Sequence, residues 1–156
     1  MMTHLKKLCS LEGVSGREHP VREYILRVLQ QSPADMSVRV DPMGNVPAYV
    51  KGRERAKHTL LFAAHMDEVG FMITGVTPEG YLRFTTVGGI DPKVVYGRSV
   101  RVGGISGVIG GKATHLCSAD EKKQVPKPSE LLIDIGAASK EEAEALVRPG
   151  DTAVFA

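Results

Sequence analysis

The stretch Leu60-Leu61-Phe62-Ala63-Ala64-His65-Met66-Asp67-Glu68-Val69-Gly70 decides how the rest of the chain is read. Five apolar residues lead into a histidine, and a carboxylate follows two positions later. Bounded by Lys57 and His58 on one side and by acids on the other, such a run predicts a strand buried on both faces. Residues two apart on an extended chain point the same way, so His65 and Asp67 are expected to share a side where the strand leaves the core. In open α/β sheets that exit is where ligands bind. An imidazole beside a carboxylate is also a metal-site pairing, in which one ring nitrogen binds the ion and the carboxylate fixes the proton on the other. A hydrogen-bonded histidine at a strand end is the other reading, and spacing alone favours it over a metal ligand.

Upstream of this stretch, Leu5, Leu8 and Leu11 sit at helical spacing and predict a short helix from about Thr3 to Leu11. Gly13-Val14-Ser15-Gly16 breaks it. A second helix carries Val21, Ile25, Val28 and Leu29 on one face and Arg22, Glu23, Arg27 and Gln30 on the other. Pro20 suits its first turn, and Ser32-Pro33 stops it. Alternation at Val38 and Val40, the turn Asp41-Pro42-Met43-Gly44-Asn45 and the run Val46 to Val50 predict a hairpin. Residues 53–58 form a charged loop. The order helix, helix, strand, strand, buried strand is an α/β beginning.

Downstream the character changes. Phe71 to Val76, Tyr81 to Val87, Ser99 to Val102 and Ile105 to Ile109 are short strand candidates, with turns at Thr77-Pro78-Glu79-Gly80 and Gly103-Gly104. Asp91, after two glycines, serves a turn. Gln124 to Pro128 is a proline-marked connection, and Leu131 to Ile135 is a further strand. Ser139 and Glu142 make a capping box for a helix to about Val147, with Ala143 and Leu146 turned inward. Thr152 to Phe155 is a last strand. Short strands with glycine turns predict a small barrel or sandwich. The expected organisation is therefore an α/β part over residues 1–69 and a β-rich, barrel-like part over 70–156.

Composition bounds the function. The apolar fraction of 42% and charged fraction of 24% are ordinary for a globular protein. A net charge of +2 without a long basic run gives nucleic-acid binding no support. No apolar run approaches the ~20 residues that span a membrane, and Met1 to Ser10 lacks the apolar segment of a signal peptide. Cys9 and Cys117, far apart, suggest no disulfide framework, so a reducing, cytoplasmic setting is expected. Cys9 reads as a small buried residue.

Seven motifs in order, from end to end of the chain, carry a resemblance. They are Gly13-Val14-Ser15-Gly16 with Val21-Arg22, Asp41-x-x-Gly44-Asn45, Ala64-His65-Met66-Asp67-Glu68-Val69-Gly70-Phe71 and Val87-Gly88-Gly89-Ile90-Asp91. Gly107-Val108-Ile109-Gly110 with His115-Leu116, Ile133-Asp134-Ile135-Gly136-Ala137 running into Ser139-Lys140-Glu141-Glu142-Ala143, and Gly150-Asp151 complete the series. Together they resemble the metallo-aminopeptidases that assemble from dimers into tetrahedral dodecamers. These are glutamyl and deblocking aminopeptidases, sometimes labelled endoglucanases.

The resemblance implies a di-metal exopeptidase α/β domain, here its N-terminal portion, followed by a β-rich insertion that mediates oligomerisation. It implies two zinc or cobalt ions in the complete enzyme, peptide substrates and release of an N-terminal amino acid by a metal-activated water. By motif match His65 is a ligand of one metal, and Asp67 is the carboxylate that orients its ring. The family's other metal residues and its glutamate base fall after the insertion, beyond Ala156. Catalytic zinc generally needs three protein ligands, so the 156-residue chain is expected to look truncated, to hold metal weakly and to be inactive alone.

Two further residues have paired readings. Glu68 is a candidate for the general base, but on a strand it faces away from His65, which suits an ion pair or a helix cap. His115 matches a position in the insertion from which a histidine approaches a neighbouring subunit's active site; packing or turn bonding is the alternative. A non-catalytic oligomerisation module is the competing function. A literal endoglucanase fits poorly with no tryptophan and 5% aromatic residues.

Overall fold

The computed structural model describes residues 2–54 and 57–156; Met1, and Arg55 and Ala56 of the charged loop expected over 53–58, lie outside the described residues. The chain forms two compact units, Met1–Asp67 and Glu68–Ala156.

In the first unit, α1 (Met2–Leu8) ends before the expected Leu11. The chain continues from it in tightened turns, with Ser10 N donating to Lys7 O and Leu11 N to Leu8 O. Those i→i+3 bonds are how helix ends fray. Helix α1 buries no residue, and Cys9 beside it is exposed rather than buried as expected. Helix α2 (His19–Gln30) starts with Pro20 in its first turn and closes through Gln31 N to Arg27 O, as the sequence predicts. Val21 is its buried anchor. Strands β1 (Met36–Val38) and β2 (Ala48–Val50) pair antiparallel, with Met36 opposite Val50. The connecting turn is held by Asp41, whose carboxylate accepts from the backbone of Met43 and Asn45 at 2.9 Å each and from Asn45 Nδ2 at 2.8 Å.

One expectation fails here. Residues 60–67 form no strand, and Leu60, Leu61 and Phe62 are 81–90% exposed. A strand buried on both faces needs a hydrogen-bonded neighbour on each side and cover above and below. Among the described residues of this unit, β1 and β2 pair only with each other. The apolar run therefore has the composition of a central strand and the surroundings of a loop.

The second unit is a closed antiparallel barrel. Its strands are β3 (Gly70–Val76), β4 (Leu82–Val87), β5 (Ser99–Val102), β6 (Ile105–Gly110), β7 (Leu132–Asp134) and β8 (Thr152–Phe155). They run in the order β3-β4-β7-β6-β5-β8, and β8 returns to pair with β3. Alternation puts Phe71, Ile73, Leu82, Phe84, Val100, Val102, Ile109, Ile133 and Ala153 inside. Phe71 meets Phe84 and Phe155 edge-on at 5.1 Å, a geometry that matches ring edge to ring face. The hairpin between β5 and β6 turns at Gly103 (φ 56°) and Gly104 (φ 87°). Two consecutive left-handed residues match the twist of the flanking strands. Gly107 on β6 is needed for approach, since a Cβ there would lie 2.9 Å from Asp134 O and from the Ile133 side chain.

Helix α3 (Lys140–Leu146) is capped by Ser139, whose Oγ accepts from Glu142 N at 3.3 Å. The Glu142 carboxylate accepts from Ala138 N, so the expected reciprocal box is shifted by one residue. Ala143 is buried as predicted, but Leu146 is 54% exposed. The helix stops at Leu146, and Val147, on extended backbone, turns into the core instead. Asp91 caps a short 3-10 turn (Pro92–Val94) by accepting from Lys93 N.

Candidate functional site

Local sequence brings two segments of the first unit together. Gly13 lies so close to α2 that a Cβ would fall 2.9 Å from Val21 Cγ2 and 3.3 Å from Met66 O. Val14 is buried at 1% exposure. The chain then turns, with Arg17 N donating to Val14 O at 2.7 Å and Gly16 at φ 85° in the third turn position, where a type II turn needs a glycine. The residue at the corner is Ser15, and it faces Asp67.

Ser15 Oγ donates to Asp67 Oδ2 at 2.5 Å. The other oxygen of that carboxylate, Oδ1, lies 3.0 Å from His65 Nδ1, and the Asp67 carbonyl oxygen lies 2.9 Å from the same nitrogen. Both oxygens only accept, so Nδ1 carries the proton and donates, and in the neutral ring Nε2 bears the lone pair. The His65 side chain is 84% exposed, which leaves Nε2 open to an incoming group. Asp67 is held below the usual aspartate range chiefly by the Ser15 hydroxyl; desolvation opposes this, and the hydrogen bond and charge of His65 add smaller contributions in the same direction as Ser15. It is an ionised acceptor at neutral pH.

The arrangement can present one oriented imidazole nitrogen. It brings together His65 and Asp67, as the sequence predicts, and adds Ser15, which the sequence reading placed in a helix-breaking segment and in a family motif but gave no role of its own. No spacing rule links positions 52 apart, so only the folded chain exposes that partner. Glu68 opens the second unit and is exposed. His115 lies on an exposed 3-10 turn (Thr114–Leu116) of the second unit. Cys117, two residues on, points its thiol at the carbonyls of Ala113 and Lys112. Among the described residues no group of three or more His, Cys, Asp or Glu side chains could hold a metal ion. His65 with Asp67 fits one corner of a metal site and does not make a whole one. No described helix is long and apolar enough to cross a membrane.

Comparison with known proteins gives this geometry a context. The family model described as M42 glutamyl aminopeptidase matches residues 44–156. The chain is 34% identical to the lysyl aminopeptidase of Pyrococcus furiosus over 147 residues, covering 90% of this chain and 41% of that one. Among solved structures it superposes on the TET1 peptidase of Pyrococcus horikoshii with a TM-score of 0.81 at 46% identity, over 99% of this chain and 46% of that one. A Thermotoga maritima protein named an endoglucanase matches with a TM-score of 0.81 at 36% identity, over 97% of this chain and 44% of that one. The chain thus spans less than half the length of each of these relatives.

Proposed function

The chain belongs to the M42 glutamyl aminopeptidase family, and from that premise we propose that it is the part of a metal-dependent aminopeptidase that supplies one metal-ligating imidazole, His65, and the carboxylate that aims it, Asp67. The observation that carries the reading is the pair of oxygens on His65 Nδ1, which leaves Nε2 bare and exposed. The residues of this chain do two things toward such a site. Asp67 orients the ring and raises its basicity, and His65 offers a neutral nitrogen suited to zinc or cobalt.

The remaining ligands and the proton-handling glutamate come, in this reading, from polypeptide outside these 156 residues. The greater length of the relatives supports that. By itself the chain is proposed to bind metal weakly and to turn over no peptide. The complete protein is proposed to release N-terminal residues from peptides in the cytoplasm, and the two free cysteines suit that compartment. The Pyrococcus horikoshii relative is described as assembling into a tetrahedron or a large octahedral shell, which supports a homo-oligomer here. The endoglucanase name belongs to one neighbour and brings no glycosidase reading to this chain, whose matching family model is that of an aminopeptidase.

A second reading, a non-catalytic oligomerisation module, is favoured by the closed barrel with its own core in the second unit. One experiment separates the two. Cobalt is titrated into the purified chain and followed by paramagnetic broadening of histidine resonances, with aminoacyl-p-nitroanilide hydrolysis measured in parallel. The catalytic-part reading expects weak binding centred on His65, lost in His65→Ala, and no turnover. Cobalt that bypasses His65, or hydrolysis that survives His65→Ala, overturns it.

A further inference from the structure

We propose that Ser15 is a positioning residue: its hydroxyl, by occupying Oδ2 of Asp67, holds Oδ1 on His65 Nδ1, so that Oδ1 and the Asp67 carbonyl together keep Nε2 as the bare nitrogen of the ring. The inference rests on the reading of His65 as a ligand only for what Nε2 is bare to receive; the hydrogen-bond relay stands on geometry alone.

The need for a third residue follows from exposure. The His65 ring, 84% exposed, has little packing to fix it, and the Asp67 side chain is itself 41% exposed. A carboxylate turns about a broad terminal torsion, so an Asp67 bonded through one oxygen alone could swing off the ring. Ser15 bonds the second oxygen. Its own position is fixed from below, because Val14 is buried and the Val14–Arg17 turn is closed at 2.7 Å with a left-handed Gly16. Gly13 admits the close approach to Met66 that sets the two segments side by side. Rigidity therefore passes from the core at Val14 through Ser15 to Asp67, and from Asp67 to the imidazole. The donor is essential, since an ionised carboxylate accepts only. A side chain of similar size without a good donor leaves Oδ2 with water.

The test reads the ring itself, without metal. The full chain, labelled with 15N in its histidine rings, is held near pH ~8, above the ordinary imidazole pKa, so that tautomer rather than protonation is observed. The His65 signals are assigned by their loss in His65→Ala. Expected is a dominant Nδ1–H tautomer in the parent chain and in Ser15→Thr. In Ser15→Ala and in Ser15→Cys, whose thiol is a weak donor, the Nδ1–H population falls roughly twofold or more, toward a mixture of the two tautomers. An Nε2–H tautomer in the parent overturns the proposal. So does a parent-like tautomer in whichever of the Ala and Cys variants keeps the parent's backbone spectrum, or loss of Nδ1–H in a folded Thr variant. Zinc alone is then added to the parent sample. A shift at His65 Nε2 supports the ligand reading, and no shift sinks that reading while leaving the Ser15 result intact.

Discussion

Ser15 and Asp67 stand 52 positions apart and share a hydrogen bond of 2.5 Å, and that bond, ahead of the one from His65, makes Asp67 the stronger acid. The Asp67 carboxyl is expected to titrate below the usual aspartate range. Ser15→Ala is expected to raise it further than His65→Ala does. Because the folded value is depressed, the linked stabilisation is present above the ordinary aspartate pKa and is lost as pH falls through the folded one. Carboxyl carbon shifts followed across the acid range check the order of the two variants.

Glu121 makes a second acid-sensitive contact, in the other unit. Lys112 Nζ lies 2.8 and 3.0 Å from its two carboxylate oxygens, and Ser118 N donates to it at 2.7 Å. The Lys112 ammonium, then the Ser118 backbone, bring Glu121 down to about 2. The loop is therefore expected to stay tied at pH 4 and to loosen only as pH falls toward the folded value. Lys112→Met should move the Glu121 titration up toward an ordinary glutamate, read by the same carboxyl shifts.

Two glycines with left-handed backbones should respond differently to substitution. At Gly80 (φ 91°) a Cβ would meet the carbonyl oxygens of Ala137 and Ser139 at 2.8 and 2.9 Å. At Gly103 (φ 56°) nothing lies within 4 Å. Gly80→Ala is expected to cost roughly 1–3 kcal/mol, from backbone strain plus the clash. Gly103→Asn, in open space and with a residue that tolerates this region, is expected to cost well under that. Urea unfolding of the barrel measures both.

Leu61 and Phe62, 89% and 90% exposed on an unpaired apolar stretch, are expected to make the chain self-associate. Replacing them with a charged pair, Leu61→Lys with Phe62→Glu, should shift sedimentation at micromolar concentration toward the monomer. An unchanged distribution would place the association elsewhere.

The barrel was legible in the sequence because its strands alternate and their turns use glycine where the backbone goes left-handed, as at Gly103-Gly104. Those are local signals. The His65–Asp67 pair was legible for the same reason, since two residues on one extended segment meet whatever else the chain does. Other features depended on distant partners. The Leu60–Ala64 run reads as a buried strand because composition encodes the intended surroundings, whereas strand formation requires neighbours actually hydrogen-bonded to it. Leu146 faces out where periodicity turned it inward, and Val147 fills the core from extended backbone, because helical periodicity holds only while the helix lasts and α3 ends at Leu146. Ser15 escaped for want of any periodic rule at a separation of 52.

The pairing of β3 with β8, Phe71 opposite Ala153, means that the barrel begins and ends on neighbouring strands. Antiparallel neighbours put the incoming chain at Gly70 and the outgoing chain at Phe155 at the same rim. A fold whose two ends emerge together can be spliced into the loop of another without stretching either partner.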